Sequence, residues 1–178
     1  MELLHRLYRD GDGVEQDSAR AREWLLAAVK MKTDRSGRAA LGFYCEHGLL
    51  GFPKDCERAF DCYRRAAAKS NTMGMYHMGR CYLEGVGTVP DIQVGLGWLC
   101  QAAGQIDEDL YYDVQAADLL AELYRTGRHV EVNPEREREW SAKASALRAR
   151  YGLGPDAIHP YAERVLGGEL RQVCPGAS

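Results

Sequence analysis

A block that recurs four times constrains this chain more than any other feature. Asp17, Asp55, Asp91 and Asn133 each precede Trp24, Cys62, Trp98 and Trp140 by seven residues. Four residues beyond these, Ala28, Ala66, Ala102 and Ala144 share a slot, and Ala21, Ala59, Gly95 and Glu137 share another four after each Asp or Asn. Self-similarity at this kind of period marks a solenoid, in which no unit buries its apolar face alone and stacked neighbours build the core together.

Each copy reads as a helical hairpin. A glycine-rich link (Gly11 and Gly13, Gly48 and Gly51, Gly85 and Gly87, Gly127 alone in the last copy) lies upstream of each Asp or Asn. Glycine allows the backbone angles that end a helix and reverse the chain. The Asp or Asn then sits where its side chain can cap the next helix, and Pro134 suits a first helical position. We call the helix after each cap B and the shorter one before each link A. The A helices pair a large with a small residue at Leu41-Gly42, Met78-Gly79 and Leu120-Ala121. Cys45, Tyr82 and Tyr124 follow three residues later, and Tyr8 takes that slot in the first copy. A small residue there lets a neighbouring backbone approach closely.

The Leu-Gly pair, the Tyr, the Gly-x-Gly link, the Asp, the Ala and the Trp before Ala-Ala together resemble the Sel-one-like repeat family, a relative of the tetratricopeptide repeats. Met78 to Ala103 is the fullest match. The second copy departs with Cys45, Cys62 and a link one residue longer; the fourth has His129 in place of the second glycine. The expected architecture is an all-α superhelical solenoid of four hairpins, at about 1–33, 34–70, 71–108 and 109–150. Residues 151–178 are expected to form a capping helix, with Ile158, Tyr161, Ala162, Val165 and Leu166 at helical spacing, and a loose tail. Leu3, Leu4 and Leu7 have no preceding helix to cover them, so self-association through the N-terminal helix is a further expectation. The longest spacing between copies, from Asp91 to Asn133, places an insertion at Gln105 to Asp113. This acidic, tyrosine-bearing stretch reads as a surface connection or as a recognition loop built from Asp109, Tyr111 and Tyr112.

Composition excludes several classes. The 178 residues are 46% hydrophobic, enough for a real core, and the net charge of -3 lacks the basic excess of a nucleic-acid surface. No stretch has the roughly 20 apolar residues needed to cross a bilayer. The N-terminus lacks an apolar leader region, so the expected compartment is cytoplasmic, or periplasmic or secreted if a leader has been removed.

No catalytic residue, metal site or cofactor is assigned. Six cysteines occur without a Cys-x-x-Cys pair, and Cys45, Cys62, Cys81 and Cys100 lie in or beside repeat core slots, so buried reduced thiols are expected. His77 and Cys81 share a face of one helix, but two ligands do not make a site. Serine-hydrolase, zinc-protease and phosphate-loop motifs are absent.

Function is therefore expected on the face of the A helices, which forms the concave surface of solenoids. Taking Tyr82 and its equivalents as inward, a helical wheel points Phe43, Ala39, Ala40 and His47, then Tyr76, His77, Arg80 and Glu84, then Asp118, Leu119, Glu122 and Thr126 away from the core. Phe43, His47, Tyr76, His77, Arg80, Glu84 and Glu122 make an aromatic and charged strip suited to a peptide or protein segment. The resemblance implies the same, a non-catalytic adaptor, scaffold or immunity-type protein of bacterial source. The alternatives are a receptor for a small molecule or cell-wall fragment, or a β-lactamase-like hydrolase, which the cysteine-rich branch of the family implies but the missing Ser-x-x-Lys opposes.

Overall fold

The computed structural model describes residues 2–31, 36–106 and 112–154, and these residues form helices and connections with no strand. The helices are α1 (Glu2–Asp10), α2 (Ser18–Lys30), α3 (Gly37–His47), α4 (Cys56–Ala67), α5 (Thr72–Glu84), α6 (Ile92–Gly104), α7 (Tyr112–Thr126) and α8 (Pro134–Arg150). Odd-numbered helices are the A members and even-numbered ones the B members of four hairpins. Each helix packs on the next in the chain, and α5 also touches α7. No two B helices among the described residues make a comparable contact.

One hydrogen bond closes every hairpin. The backbone N–H of Asp17, Asp55, Asp91 and Asn133 donates to the carbonyl of Tyr8, Cys45, Tyr82 and Tyr124, at 2.8, 2.8, 2.8 and 2.9 Å. The same four residues cap their B helices, accepting from the N–H of Arg20, Arg58, Val94 and Arg136 at 2.9–3.0 Å. The cap residue thus does two tasks, fixing where helix B starts and how far it lies from the end of helix A. The links reach these caps through left-handed backbone, with φ of +66° at Gly87 and +67° at His129.

The deepest B-helix slot is one residue beyond the tryptophans. Leu25, Tyr63 and Leu99 are fully buried, whereas Trp24, Trp98 and Trp140 are half-buried at the periphery. The reason is steric: Gly42 faces the Tyr63 ring and Gly79 faces Leu99, so the small A-helix residue receives this slot rather than the indole. The tyrosine slot is peripheral too. Tyr8, Tyr82 and Tyr124 are half-buried, and Arg20 and Arg136 lie over the rings of Tyr8 and Tyr124.

The B-helix row changes character in the last hairpin. The row that each B helix turns toward the following hairpin reads Arg22, Leu25, Val29 in α2, Phe60, Tyr63, Ala67 in α4 and Leu96, Leu99, Ala103 in α6. In α8 the same row is Arg138, Ser141, Ser145, with Arg138 and Ser145 exposed. Ala67 and Ala103 are only 4% and 1% exposed. At the opposite end Leu3 is exposed, and Leu4 and Leu7 are half-buried.

Two expectations need amendment, and two others fall outside the described residues. Tyr112 and Asp113 are not loop residues: they form the first turn of α7 and are buried, Tyr112 against Tyr76 and His77, Asp113 accepting from the Tyr151 hydroxyl at 2.6 Å. Asp109 and Tyr111 lie outside the described residues, as does the stretch Ile158 to Leu166. Cys45, Cys62 and Cys81 are buried free thiols, but Cys100 is a free thiol exposed on α6.

Candidate functional site

The A helices meet in a polar and aromatic cluster between the second and third hairpins. At its centre is Glu46 on α3, 2% exposed, which accepts a 2.7 Å hydrogen bond from the Tyr63 hydroxyl. Arg80 on α5 reaches it at 3.4 Å, and the imidazoles of His77 and His47 stand at 3.9 and 4.0 Å. Burial works to raise the Glu46 pKa, but Arg80, His77 and the Tyr63 hydroxyl outweigh it, and the carboxyl is held below its usual range. Burial likewise works to lower the Arg80 pKa and is outweighed by Glu46, Tyr76 and Glu84, so the guanidinium stays charged.

His77 is enclosed by rings. It stacks on Tyr63 with centroids 4.4 Å apart and meets Tyr76, Tyr112 and Phe43 at 5.2, 5.7 and 6.1 Å. Arg80 can only donate, so its 3.3 Å contact makes His77 Nδ1 the acceptor and places the proton on Nε2. Burial, with repulsion from Arg80, depresses the His77 pKa to about 3, and the ring is neutral.

Arg80 also links outward. It lies 3.6 Å from Glu84, which accepts from Arg128 of the fourth hairpin's link at 2.8 Å. The chain Glu46–Arg80–Glu84–Arg128 therefore spans three hairpins and grows more exposed along its length, with side-chain exposures of 2%, 19%, 23% and 54%. Tyr76, Arg80 and Glu84, spaced by four, form the surface edge of α5; Asp118, Leu119 and the exposed Glu122 continue it on α7. Asp118 is paired with Arg148 of α8.

The structure divides the strip read from the sequence. Tyr76, Arg80, Glu84, His47 and Glu122 do reach the A-side surface, Glu122 fully and the others half-buried. Phe43 and His77 do not: they are 5% and 3% exposed, filling the seam between α3 and α5. The wheel failed there because its origin, Tyr82, is itself peripheral. Glu46, Tyr63 and Arg128 were missed. A glutamate directly after a core cysteine in an otherwise apolar A helix was the available signal.

Other chemistry is thin. Burial pushes the Cys81 thiol up to about 12, so Cys81 beside His77 is not a thiolate at neutral pH. A cleft of about 640 Å³ opens where the first link meets the second hairpin, lined by Arg9, Asp10, Gln16, Tyr44 and Leu49 among others. No helix of the described residues is long and apolar enough to cross a membrane.

Comparison with known proteins agrees with the paired A and B helices. The Sel1 repeat profile fits residues 6–32, 36–71, 72–107 and 114–148, most of the chain. This chain belongs to the Sel1 repeat family. It is 28% identical, over 84% of its length, to an uncharacterised protein of Neisseria meningitidis serogroup B, of which it spans 40%. Among solved structures it resembles a Sel1 repeat protein from Oxalobacter formigenes, with a TM-score of 0.69 and 27% identity over 82% of this chain and 56% of that one. It also resembles a protective antigen of uropathogenic Escherichia coli with the same fold, with a TM-score of 0.68 and 25% identity over 82% of this chain and 29% of that one. Sel1 repeats are typically protein-interaction modules, and the solenoid is generally a non-catalytic scaffold.

Proposed function

We propose that the A-helix face of this Sel1 repeat chain docks a segment of another protein, in an adaptor, scaffold or regulatory role. The observation that carries this reading is the edge of Tyr76, Arg80, Glu84 and Glu122, backed by the Glu46 cluster. Arg80 is fixed from below by a buried carboxylate and Glu84 from the side by Arg128, so ordering them on binding costs little side-chain entropy. A half-buried tyrosine beside a fixed arginine is the pairing that dominates binding energy at protein interfaces. The test is capture of partners from lysate of the source cells, comparing wild type with a Tyr76→Ala, Glu122→Lys variant that melts at the same temperature. A partner captured by wild type alone supports the reading. One captured equally by both moves the interface elsewhere.

The cleft beside Arg9 favours a second reading, a small polar ligand, since its volume suits a compact molecule. Saturable thermal stabilisation by such a ligand, lost in a Gln16→Ala variant, distinguishes it.

A further inference from the structure

The cleft at the joint of the first two hairpins has a cause in the sequence. Gly51 and Gly87 each lie four residues before a cap, with left-handed φ of +71° and +66°. The third link rests directly on the hairpin before it: a Cβ at Gly87 would meet the Cys56 carbonyl oxygen of α4 at 2.1 Å. The second link stands off. Within 4 Å a Cβ at Gly51 would meet only the Arg22 guanidinium of α2, at 3.2 Å. The difference is one residue. Leu49 and Val86 are equivalent, each donating its N–H back to α3 or α5, to the Tyr44 or Cys81 carbonyl at 3.0 Å. Leu50 is therefore the extra residue of the second link, and it holds φ of +51°, a left-handed backbone that leucine adopts only at a cost. Val86 is 1% exposed, whereas Leu49 is only half-buried. The cleft of about 640 Å³ opens here, with Leu49 and Leu50 on one side and the first link on the other.

The polar wall of the cleft offers acceptors. Arg9 donates to both oxygens of Asp10, at 2.7 and 2.5 Å, and reaches the Tyr44 hydroxyl at 3.5 Å, so its charge is matched within the molecule. Gln16 donates its amide nitrogen to the Arg9 carbonyl at 2.8 Å, which leaves its Oε1 as an acceptor. Asp12 is exposed, and its carboxylate has no hydrogen bond or ion pair among the described residues. The lining thus sets two carboxylates against one guanidinium, beside the apolar surface of Leu49 and Leu50.

We infer that this cleft binds a short alkyl chain ending in an ammonium or guanidinium group, with the cation on Asp12 and Gln16 Oε1 and the methylenes against Leu49 and Leu50. A cation there makes charge-assisted hydrogen bonds, while its aliphatic stem covers leucine surface that the third hairpin buries at Val86. An anion would meet Asp10 and Asp12 with the one lining cation already engaged. The inference rests on the small-ligand reading of the cleft and gives that ligand its chemical class. A free amine and the arginine or lysine side chain of a protein present the same chemistry.

The test is titration of the full chain, followed by NMR at the Gln16 side-chain amide, with two cationic probes and two controls. The cations are agmatine, a free molecule, and acetyl-Gly-Arg-Gly-amide, a protein-like side chain; the controls are glutarate and glycerol. Saturable shifts with a cationic probe and none with the controls are expected, and the tighter of the two cations identifies the source. Asp12→Asn is expected to weaken that binding about fivefold, as loss of an exposed ion pair does. Deleting Leu50 restores the link length of the third copy and is expected to abolish binding while the melting temperature stays the same or rises. Cation binding unchanged by both variants overturns the inference. Binding of glutarate or glycerol in preference overturns it too, yet leaves the small-ligand reading standing. No binding by any probe overturns both.

Discussion

The Tyr63 hydroxyl donates to Glu46 at 2.7 Å across the second hairpin, so the ring that fills the B-helix core slot also satisfies one oxygen of a buried carboxylate. The Tyr63 ring continues into the third hairpin by stacking on His77, and the carboxylate does so by pairing with Arg80. One pair of residues therefore ties the apolar core, the polar A-side seam and the surface edge together.

Removing one partner of this cluster is expected to cost far more than replacing both charges. Arg80→Met should destabilise by about 3–5 kcal/mol, because Glu46 is left charged and buried without its cation. Glu46→Leu combined with Arg80→Met should recover most of that loss. Tyr63→Phe, which removes a hydrogen bond to a charged acceptor, should cost about 1.5–3 kcal/mol. Urea unfolding of the four proteins checks the order, and a double variant weaker than Arg80→Met contradicts it.

Stability is expected to fall with acid before any carboxylate titrates. His5, His47 and His77 all have pKa values lowered chiefly by burial, His77 to about 3. Between pH 3 and the ordinary value of 6.5 the unfolded chain therefore binds more protons than the folded one. The histidine contribution is fully present above pH 6.5 and is lost as pH falls, at about 2 kcal/mol between pH 7 and 5 from His77 alone. Below pH 4.5 the lowered pKa of Glu46 acts in the same direction. Denaturant melts at pH 7, 6 and 5 measure the slope, and it should flatten in His77→Phe if that variant folds, or in His5→Gln otherwise.

Two glycines and a histidine are expected to respond in opposite senses. A Cβ on Gly87 meets the Cys56 carbonyl oxygen at 2.1 Å in a left-handed backbone, so Gly87→Ala should be severely destabilising. Gly97 sits in α6 with nothing within 4 Å, and Gly97→Ala should add up to about 1 kcal/mol through helix propensity. His129 holds φ of +67° where the third copy has Gly87, and His129→Gly should gain about 1 kcal/mol by relieving the backbone. Melting temperatures of the three variants decide the signs.

Leu99→Ala is expected to cost about 2–5 kcal/mol, more than Trp98→Ala despite the larger tryptophan side chain. Leu99 is 0% exposed against the Gly79 backbone, whereas Trp98 keeps part of its surface in water. Equal losses on chemical denaturation contradict the assignment of the deep slot.

The sequence by itself determined the repeat, the hairpins and their caps. Those features depend on local chemistry that recurs at fixed spacing: a side-chain oxygen at the start of a helix, left-handed turns at its end, a small residue where backbones meet. Tertiary structure alone decided which residues of the A helices face the surface. A helix packed on three neighbours has no simple inside and outside, so a wheel drawn from Tyr82 placed Arg80 and Glu122 correctly yet turned Phe43 and His77 outward. The Glu46 cluster was illegible for the same reason. Glu46 is buried and charged only because Tyr63 and Arg80, 17 and 34 residues away, converge on it, and such long-range convergence leaves no periodic trace in the chain.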